Sequence, residues 1–408
     1  MNSLLIIGQT FPEPTTTAAG VRMLQLIEMF TSHGYGITFA SSASSSEKSF
    51  HLNSIGVATQ QIAINDSSFD DFVRQLNPTI VLFDRFITEE QFAWRVTHSC
   101  PKALKILDTE DLHFLRKARQ QALKDATDVK DANLFTETAK REIASILRCD
   151  LSLIISEFEM ELLTGTFAVS KEILYYLPFM ISELPVSGNL PGYKQRANFM
   201  TIGNFLHEPN VDSVLYLKNE IWPLIKKQLP QAQLHIYGNY APQHILELHN
   251  QKQGFYLMGW ADSVAHVIQK ARVCIAPLRF GAGLKGKLID AMLYGTPWVT
   301  TSIGAEGMYP DSINPDSIAD TPEGFAKLSV AIYNDKIKWQ QNAQMGIEII
   351  KERFNGKAIA KDFMTRLDAL KINLKLHRQA HFIGQILQHQ SLQASKYLSK
   401  WIEEKNKV

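Results

Sequence analysis

Short apolar runs, several ending at glycine, recur in two separate stretches of the chain. This recurrence limits the fold more than any other feature. The first series comprises residues 4–7 (ending at Gly8), 37–40, 80–83, 103–107 and 151–155. Between the first two runs Val21, Met23, Leu24, Leu26, Ile27, Met29 and Phe30 repeat at helical spacing. A polar helical stretch is expected over 114–147. Residues 182–196, rich in Pro, Gly and Ser, read as a linker. A second series follows at 199–203, 234–238, 255–259, 273–277 and 298–301. Runs this short cannot be helices of ordinary length, and their alternation with helical patterns predicts parallel sheets. The expected fold class is therefore α/β, with two Rossmann-like domains facing a cleft. The boundaries are set at 1–190 for the acceptor-side domain and 197–357 for the nucleotide-binding domain. A helical segment over 358–408 is expected to return to the first domain.

A length of 408 residues suits two domains, and 45% apolar with 20% charged residues is ordinary for globular chains. A net charge of +1 argues against a nucleic-acid partner. Cys100, Cys149 and Cys274 form no close pair, which fits reduced thiols and a cytoplasmic location. The first residues, MNSLLIIGQTFPEP, lack a basic region followed by a long apolar run and do not read as a signal peptide. No stretch approaches the roughly 20 apolar residues of a membrane span, so any membrane contact is expected from the surface.

Parallel sheets bind ligands at the carboxyl ends of their strands. The loop after Pro277 is the richest of these: Gly281-Ala282-Gly283-Leu284-Lys285-Gly286-Lys287, then a helical pattern with Asp290 that closes at Gly295. A helix N-terminus carries unpaired N–H groups and partial positive charge. Lys285 and Lys287 add cations at that end, which is unfavourable unless an anion binds there; a diphosphate fits. Asp290, about one turn in, can accept from ribose hydroxyls or simply favour the helix start. The same glycines match G-x-G-x-x-G, the dinucleotide pattern, with Glu306 near the end of a later strand. That pattern normally opens its domain, whereas here it comes several strands in. A nicotinamide-dependent oxidoreductase is retained only as a remote alternative.

Residues 281–297, continued through Gly304-Ala305-Glu306, resemble the donor-binding signature of family 4 glycosyltransferases, which have the GT-B fold. Asp290-Ala291-Met292, Gly295 and Pro297 carry the resemblance. Gly203-Asn204-Phe205, with His207, Pro209, Asn210 and Val211, is similar to the first strand and loop of that family's C-terminal domain. Gly20 and Arg22 are similar to its N-terminal glycine loop, and the segment 108–113 to a cleft loop that holds a histidine or acid near the donor. The resemblance implies retaining transfer from a nucleotide-diphosphate sugar to a hydroxyl of a glycan, lipid-linked or other acceptor, without metal or other cofactor, in cell-surface glycan synthesis. It implies catalytic roles for His113, Lys285 and Asp290. Donor contacts would come from Gly20, Arg22, Gly203, Asn204, Gly238, Gly259, Trp260, residues 281–285, Lys287, Asp290, Gly304, Ala305 and Glu306.

The chain departs from that pattern. The E-x7-E motif would need an acid at Ala282, and the second acid is Asp290 rather than Glu. The loop after Gly203 also lacks the Arg and Lys pair that many relatives use on phosphate, which moves the load to Lys285 and Lys287. These departures motivate an alternative, a catalytically silent GT-B protein that binds a nucleotide sugar or scaffolds a complex. Asp84 and Arg85, after the run 80–83, and Glu110 and Asp111 are assigned to the acceptor side. His113 is an equal candidate for packing and capping the next helix, Glu110 or Asp111 is the alternative cap there, and a cap is also expected from Ser156, Glu157 or Glu159. The tail 371–408 sets seven Lys or Arg against Glu403 and Glu404 among exposed-type apolar residues. It is expected to dock on the first domain, with a peripheral membrane contact left open.

Overall fold

The computed structural model describes residues 2–185, 190–310, 313 and 315–406, so the middle of the expected linker and the last two residues of the tail lie outside the described residues. The alternation of apolar runs becomes two parallel sheets. The first holds β1 (Ser3–Gly8), β2 (Gly36–Ser41), β3 (Ala58–Gln61), β4 (Ile80–Asp84), β5 (Leu104–Asp108), β6 (Leu151–Ile154) and β7 (Leu174–Tyr176), in the order β3-β2-β1-β4-β5-β6-β7. The second holds β8 (Ala197–Ile202), β9 (Leu234–Tyr237), β10 (Phe255–Gly259), β11 (Ala271–Ala276) and β12 (Trp298–Thr300), in the order β10-β9-β8-β11-β12. Strands β4, β5 and β6 are buried at every position. Helices cover both faces of such a sheet, so its strands read as continuous apolar runs. β3 (ATQQ) is exposed throughout and gives no such signal.

Both sheets reverse direction once. The chain adds β2 and β3 on one side of β1, then crosses to β4 on the other; it adds β9 and β10 beside β8, then crosses to β11. The crevices beyond the carboxyl ends of β1/β4 and β8/β11 are therefore the topological switch points, where ligands of such sheets bind.

The polar stretch expected as one helix over 114–147 is two, His113–Lys124 and Glu137–Arg148. The chain turns between them, and Thr136 caps the second by accepting from the Ala139 amide. The tail returns to the first domain as expected. Phe363, Met364, Leu367 and Leu370 of helix Gly356–Ile372 pack into the cluster that holds Leu4, Ile6, Ile80 and Leu82. Helices Leu374–Ala380 and Phe382–Lys405 continue across that domain. Arg378 grips Asp150, Gln388 accepts from Lys105, and Arg95 donates to Ser399. The opposite side of helix Phe382–Lys405 leaves Phe382, Ile383, Ile386, Tyr397, Leu398 and Trp401 exposed.

Candidate functional site

The β8/β11 crevice is built from the glycine loop and helix Gly286–Leu293. Lys285 occupies the N-cap position, with no side chain capping the helix, so its first amides remain available to an anion. Gly295 closes the other end with φ 60°, a left-handed conformation that suits glycine. The Lys285 ammonium folds back onto the carbonyls of Ala282 and Gly283, and Lys287 donates to Asn210 Oδ1 at 2.7 Å. Asn210 in turn donates to the Asn204 carbonyl, and its side chain fills the space a Cβ on Gly203 would need. Gly203 and Asn204 thus serve the crevice by seating the partner of Lys287. Burial pulls both lysines down to about 8. Burial lowers His207 to about 3, which leaves it neutral at ordinary pH. Burial also raises Asp290 to about 7. These shifts mark a pocket that is costly to keep ionised and that an opposite charge would relieve.

The loop is clasped by the first domain. Arg119, on helix His113–Lys124, donates to both Glu306 oxygens at 2.7 Å and to the Gly281 carbonyl at 2.9 Å. Glu159 Oε1 accepts from the amides of Leu112 at 3.0 Å and Gly283 at 2.9 Å. A Cβ on Gly283 would lie 2.8 Å from Asp111 Cβ, and one on Gly286 would lie 2.7 Å from Ala18 Cβ. The two domains meet here without spare room. Arg116 is bound to Asp111 beside this contact, and burial lowers it to about 10.

Several expectations are redirected by these contacts. Glu306, expected on a sugar hydroxyl, is held by Arg119. The Gly283 N–H, expected to reach a ligand, is taken by Glu159. Ala282 sits in the apolar cluster of the first domain, where a carboxylate would be buried. Arg22 is fully buried against Asp108 and the carbonyls of Leu177 and Pro178, so its guanidinium ties helix Ala18–Ser32 to β5 and not to a donor. Gly20 has the Glu13 backbone where a Cβ would stand, at 2.5 Å. Gly238 packs on the Gly203 carbonyl, and Gly304 on Thr300, for the same reason of space. Ala305 follows in the short helix Ser302–Ala305, and Leu284 is buried. Gly259 turns the chain with φ 74° so that Trp260 reaches Thr15, with Lys48 over its ring. Neither Glu110 nor Asp111 caps helix His113–Lys124. Glu142 does, accepting from the amides of His113 and Phe114, and Glu159 assists. The cap expected from Ser156, Glu157 or Glu159 on their own helix has no side-chain bond. The dinucleotide pattern follows β11, not the opening strand β8, and its acid is committed to Arg119. Arg116, Arg119 and Glu142 gave no sequence signal, and Glu159 gave only that of a helix cap. They lie on helix faces, and only the packing of the two domains brings them to the loop.

The β1/β4 crevice has the opposite character. Asp84 and Asp108 are register partners at the ends of β4 and β5. Asp84 Oδ2 accepts from the Gln9 amide at 3.1 Å and from Arg85 at 3.3 Å. Asp108 Oδ1 accepts from Arg22 at 3.0 Å. Glu110 follows, and its carboxyl is pushed by burial up to about 8. His113 lies edge-on to Phe86 with ring centroids 5.5 Å apart, and its Nδ1 faces the Asp111 carbonyl.

Residues 196–335 match the family model of the group 1 glycosyl transferases. The whole chain is similar in structure to a sucrose-phosphate synthase from Thermosynechococcus elongatus, with TM-score 0.69 and 16% identity over 91% of this chain and 99% of that one. It is also similar to HepE of Anabaena, solved with UDP and glucose, at TM-score 0.65 and 13% identity over 91% and 100%. WaaG, a glycosyltransferase involved in lipopolysaccharide biosynthesis, aligns at TM-score 0.59 and 11% identity over 88% and 98%. Among curated proteins, an uncharacterised 44.6 kDa protein in the cps region of Klebsiella pneumoniae is 26% identical over 170 residues. That match spans 40% of this chain and 44% of the relative, less than half of its length.

Proposed function

We propose that this chain, a GT-B protein with a group 1 glycosyl transferase domain over residues 196–335, transfers a sugar from a nucleotide diphosphate to an acceptor hydroxyl with retention of configuration. The observation that carries this is the uncapped start of helix Gly286–Leu293 flanked by Lys285 and Lys287 at the β8/β11 switch point. When the bond from the sugar carbon to the phosphate oxygen breaks, negative charge grows on the departing diphosphate. The helix amides, Lys285, Lys287 and Arg116 can balance that charge, so no metal or other cofactor is assigned a role. Asp290 is placed on the ribose. The acceptor oxygen attacks the same face of the sugar from the β1/β4 side, and its proton passes to the departing phosphate oxygen. His113 is assigned the role of stabilising the positive charge that develops on the sugar. In this proposal the protein acts in the cytoplasm in surface-glycan synthesis, as the resemblance implies.

Incubation with a panel of nucleotide-diphosphate sugars and acceptors tests the proposal. One donor should release its nucleotide in an acceptor-dependent way, and the product anomer read by NMR should match the donor. A silent binding protein is the second reading, motivated by Glu306 and Lys285 already being engaged within the protein. It would bind nucleotide diphosphates in a melting assay and release nothing from any donor and acceptor pair.

A surface contact with a membrane belongs to the same proposal. Trp401, Leu398 and Phe382 lie on the exposed side of the last helix with Lys400 and Lys405. An amphipathic basic face of this kind binds anionic lipid. Among the described residues no helix is long and apolar enough to cross a membrane. Sedimentation with anionic but not neutral vesicles is expected.

A further inference from the structure

The Ala282–Gly283 peptide links the two domains by charge as well as by fit. Its N–H donates to Glu159 Oε1 at 2.9 Å, and its carbonyl accepts from the Lys285 ammonium at 3.1 Å. A trans peptide is planar, with N–H and C=O on opposite edges. One rigid unit therefore carries a carboxyl group of the first domain on one edge and a lysine of the second on the other. Hydrogen bonds in such a chain polarise one another, so each end strengthens the other. Gly283 holds the unit in place with φ 64°, and Asp111 packs where its Cβ would stand.

Glu159, on helix Glu157–Gly165, is fully buried. Its Oε1 takes the amides of Leu112 and Gly283, and its Oε2 has no hydrogen-bond partner, so no cation neutralises it directly. Glu142, on helix Glu137–Arg148, faces it and is taken up by the amides of His113 and Phe114. Four charged groups bear on Lys285: Glu306, Glu159, Arg119 and Arg116. Arg119 holds both oxygens of Glu306, and Arg116 is bound to Asp111. Of the two carboxyl groups, Glu159 is thus the one whose charge is not already spent on a guanidinium.

We propose that Glu159 is a positioning residue for the transfer: through the Ala282–Gly283 peptide it keeps Lys285 cationic and seated on the donor loop inside the closed cleft. The contact that buries the lysine, and so disfavours its charge, also brings the carboxylate that offsets the loss. This rests on the transferase reading for the diphosphate that Lys285 meets, whereas the coupling of Glu159 to Lys285 is a property of the ligand-free protein.

NMR of ligand-free protein with isotope-labelled lysine side chains tests it, the Lys285 signal being assigned by its loss in Lys285→Arg. Burial raises Glu159 to about 7 and lowers Lys285 to about 8, so the wild-type Lys285 signal should show a small step near pH 7 as the carboxylate forms, then its own titration. In Glu159→Gln the carboxamide oxygen still accepts from both amides but carries no charge, so a purely structural bridge survives. The step should vanish there, and the Lys285 midpoint should fall by about one pH unit. Glu142→Gln should leave that midpoint where it is. A midpoint unchanged or raised in Glu159→Gln overturns the proposal, as does one shifted equally by Glu142→Gln. A wild-type signal without the first step overturns it too, even should the variant fail to fold. UDP binding by thermal shift on the same samples keeps the two readings apart. Its absence sinks the nucleotide-sugar reading, whereas the lysine titration alone judges Glu159.

Discussion

Past β11 the chain gathers Lys285, Lys287 and an uncapped helix start. Past β4 and β5 it gathers Asp84, Asp108 and Glu110. The strands that deliver these loops are closely similar, parallel and buried, and in each sheet the crevice opens at the single reversal of strand order. The scaffold therefore decides where a ligand can sit, and three or four residues beyond each strand decide which charge it carries. One crevice gathers cations about a free helix start and the other gathers carboxyls.

The largest way to break this pairing is Arg119→Ala. Arg119 joins the two regions through Glu306 and the Gly281 carbonyl, and is 5% exposed. Removing one member of a buried, bidentate pair costs about 3–5 kcal/mol. The melting temperature should fall by several degrees, while replacing both Arg119 and Glu306 by Met should recover part of the loss. Next comes Lys285→Ala with Lys287→Ala. Nucleoside diphosphate affinity, read by calorimetry, should drop by about 2–3 kcal/mol at most, because each lysine contributes a charge-assisted contact. An unchanged affinity would dissolve the distinction between the crevices.

The proton linkage is smaller and sharper. Both lysines sit near 8 in the free protein because burial disfavours their charge. A bound diphosphate favours the charged form and raises them, so affinity should hold below pH 8 and decline as pH rises beyond it, with proton uptake on binding. An affinity flat from pH 7 to 9.5 would remove the lysines from the phosphate. Asp290→Asn should separate ligand from fold. Burial raises Asp290 to about 7 from an ordinary value of 3.8, so the fold loses stability as pH rises between the two and carries the full penalty above 7. The variant should melt slightly higher at pH 8, by about 1–3 °C, yet bind ribonucleotides more weakly while leaving pyrophosphate unchanged. The smallest effect belongs to Leu398→Ser on the outer side of the last helix. Exposed at 58%, it should change stability by no more than about 0.5 kcal/mol while reducing sedimentation with anionic vesicles.

Much of this comparison was legible in the sequence, and unequally so. The cationic side announces itself because its parts are contiguous: a glycine loop, two lysines and Asp290 lie within one strand-to-helix passage. The two domains were legible because strands covered on both faces must be apolar at each position. Strand β3 was not, since an exposed edge of polar residues carries no period. The acidic crevice was only partly visible. Asp84, Arg85 and Glu110 stand out after apolar runs, but their union needs the pairing of β4 with β5 and the arrival of Arg22 from a distant helix. The partners of Arg119 and Glu159 were invisible, because spacing along their own helices says nothing about a partner more than 120 residues away.

Helix Gly356–Ile372 carries a consequence of another kind. Its Phe363, Met364, Leu367 and Leu370 complete the apolar cluster beneath β1 and β4. During synthesis Leu4, Ile6, Ile80 and Leu82 therefore emerge with the cover of helix Ala18–Ser32 but without that of helix Gly356–Ile372. In that interval the nascent chain presents a sticky face that has to be guarded from its neighbours on the ribosome.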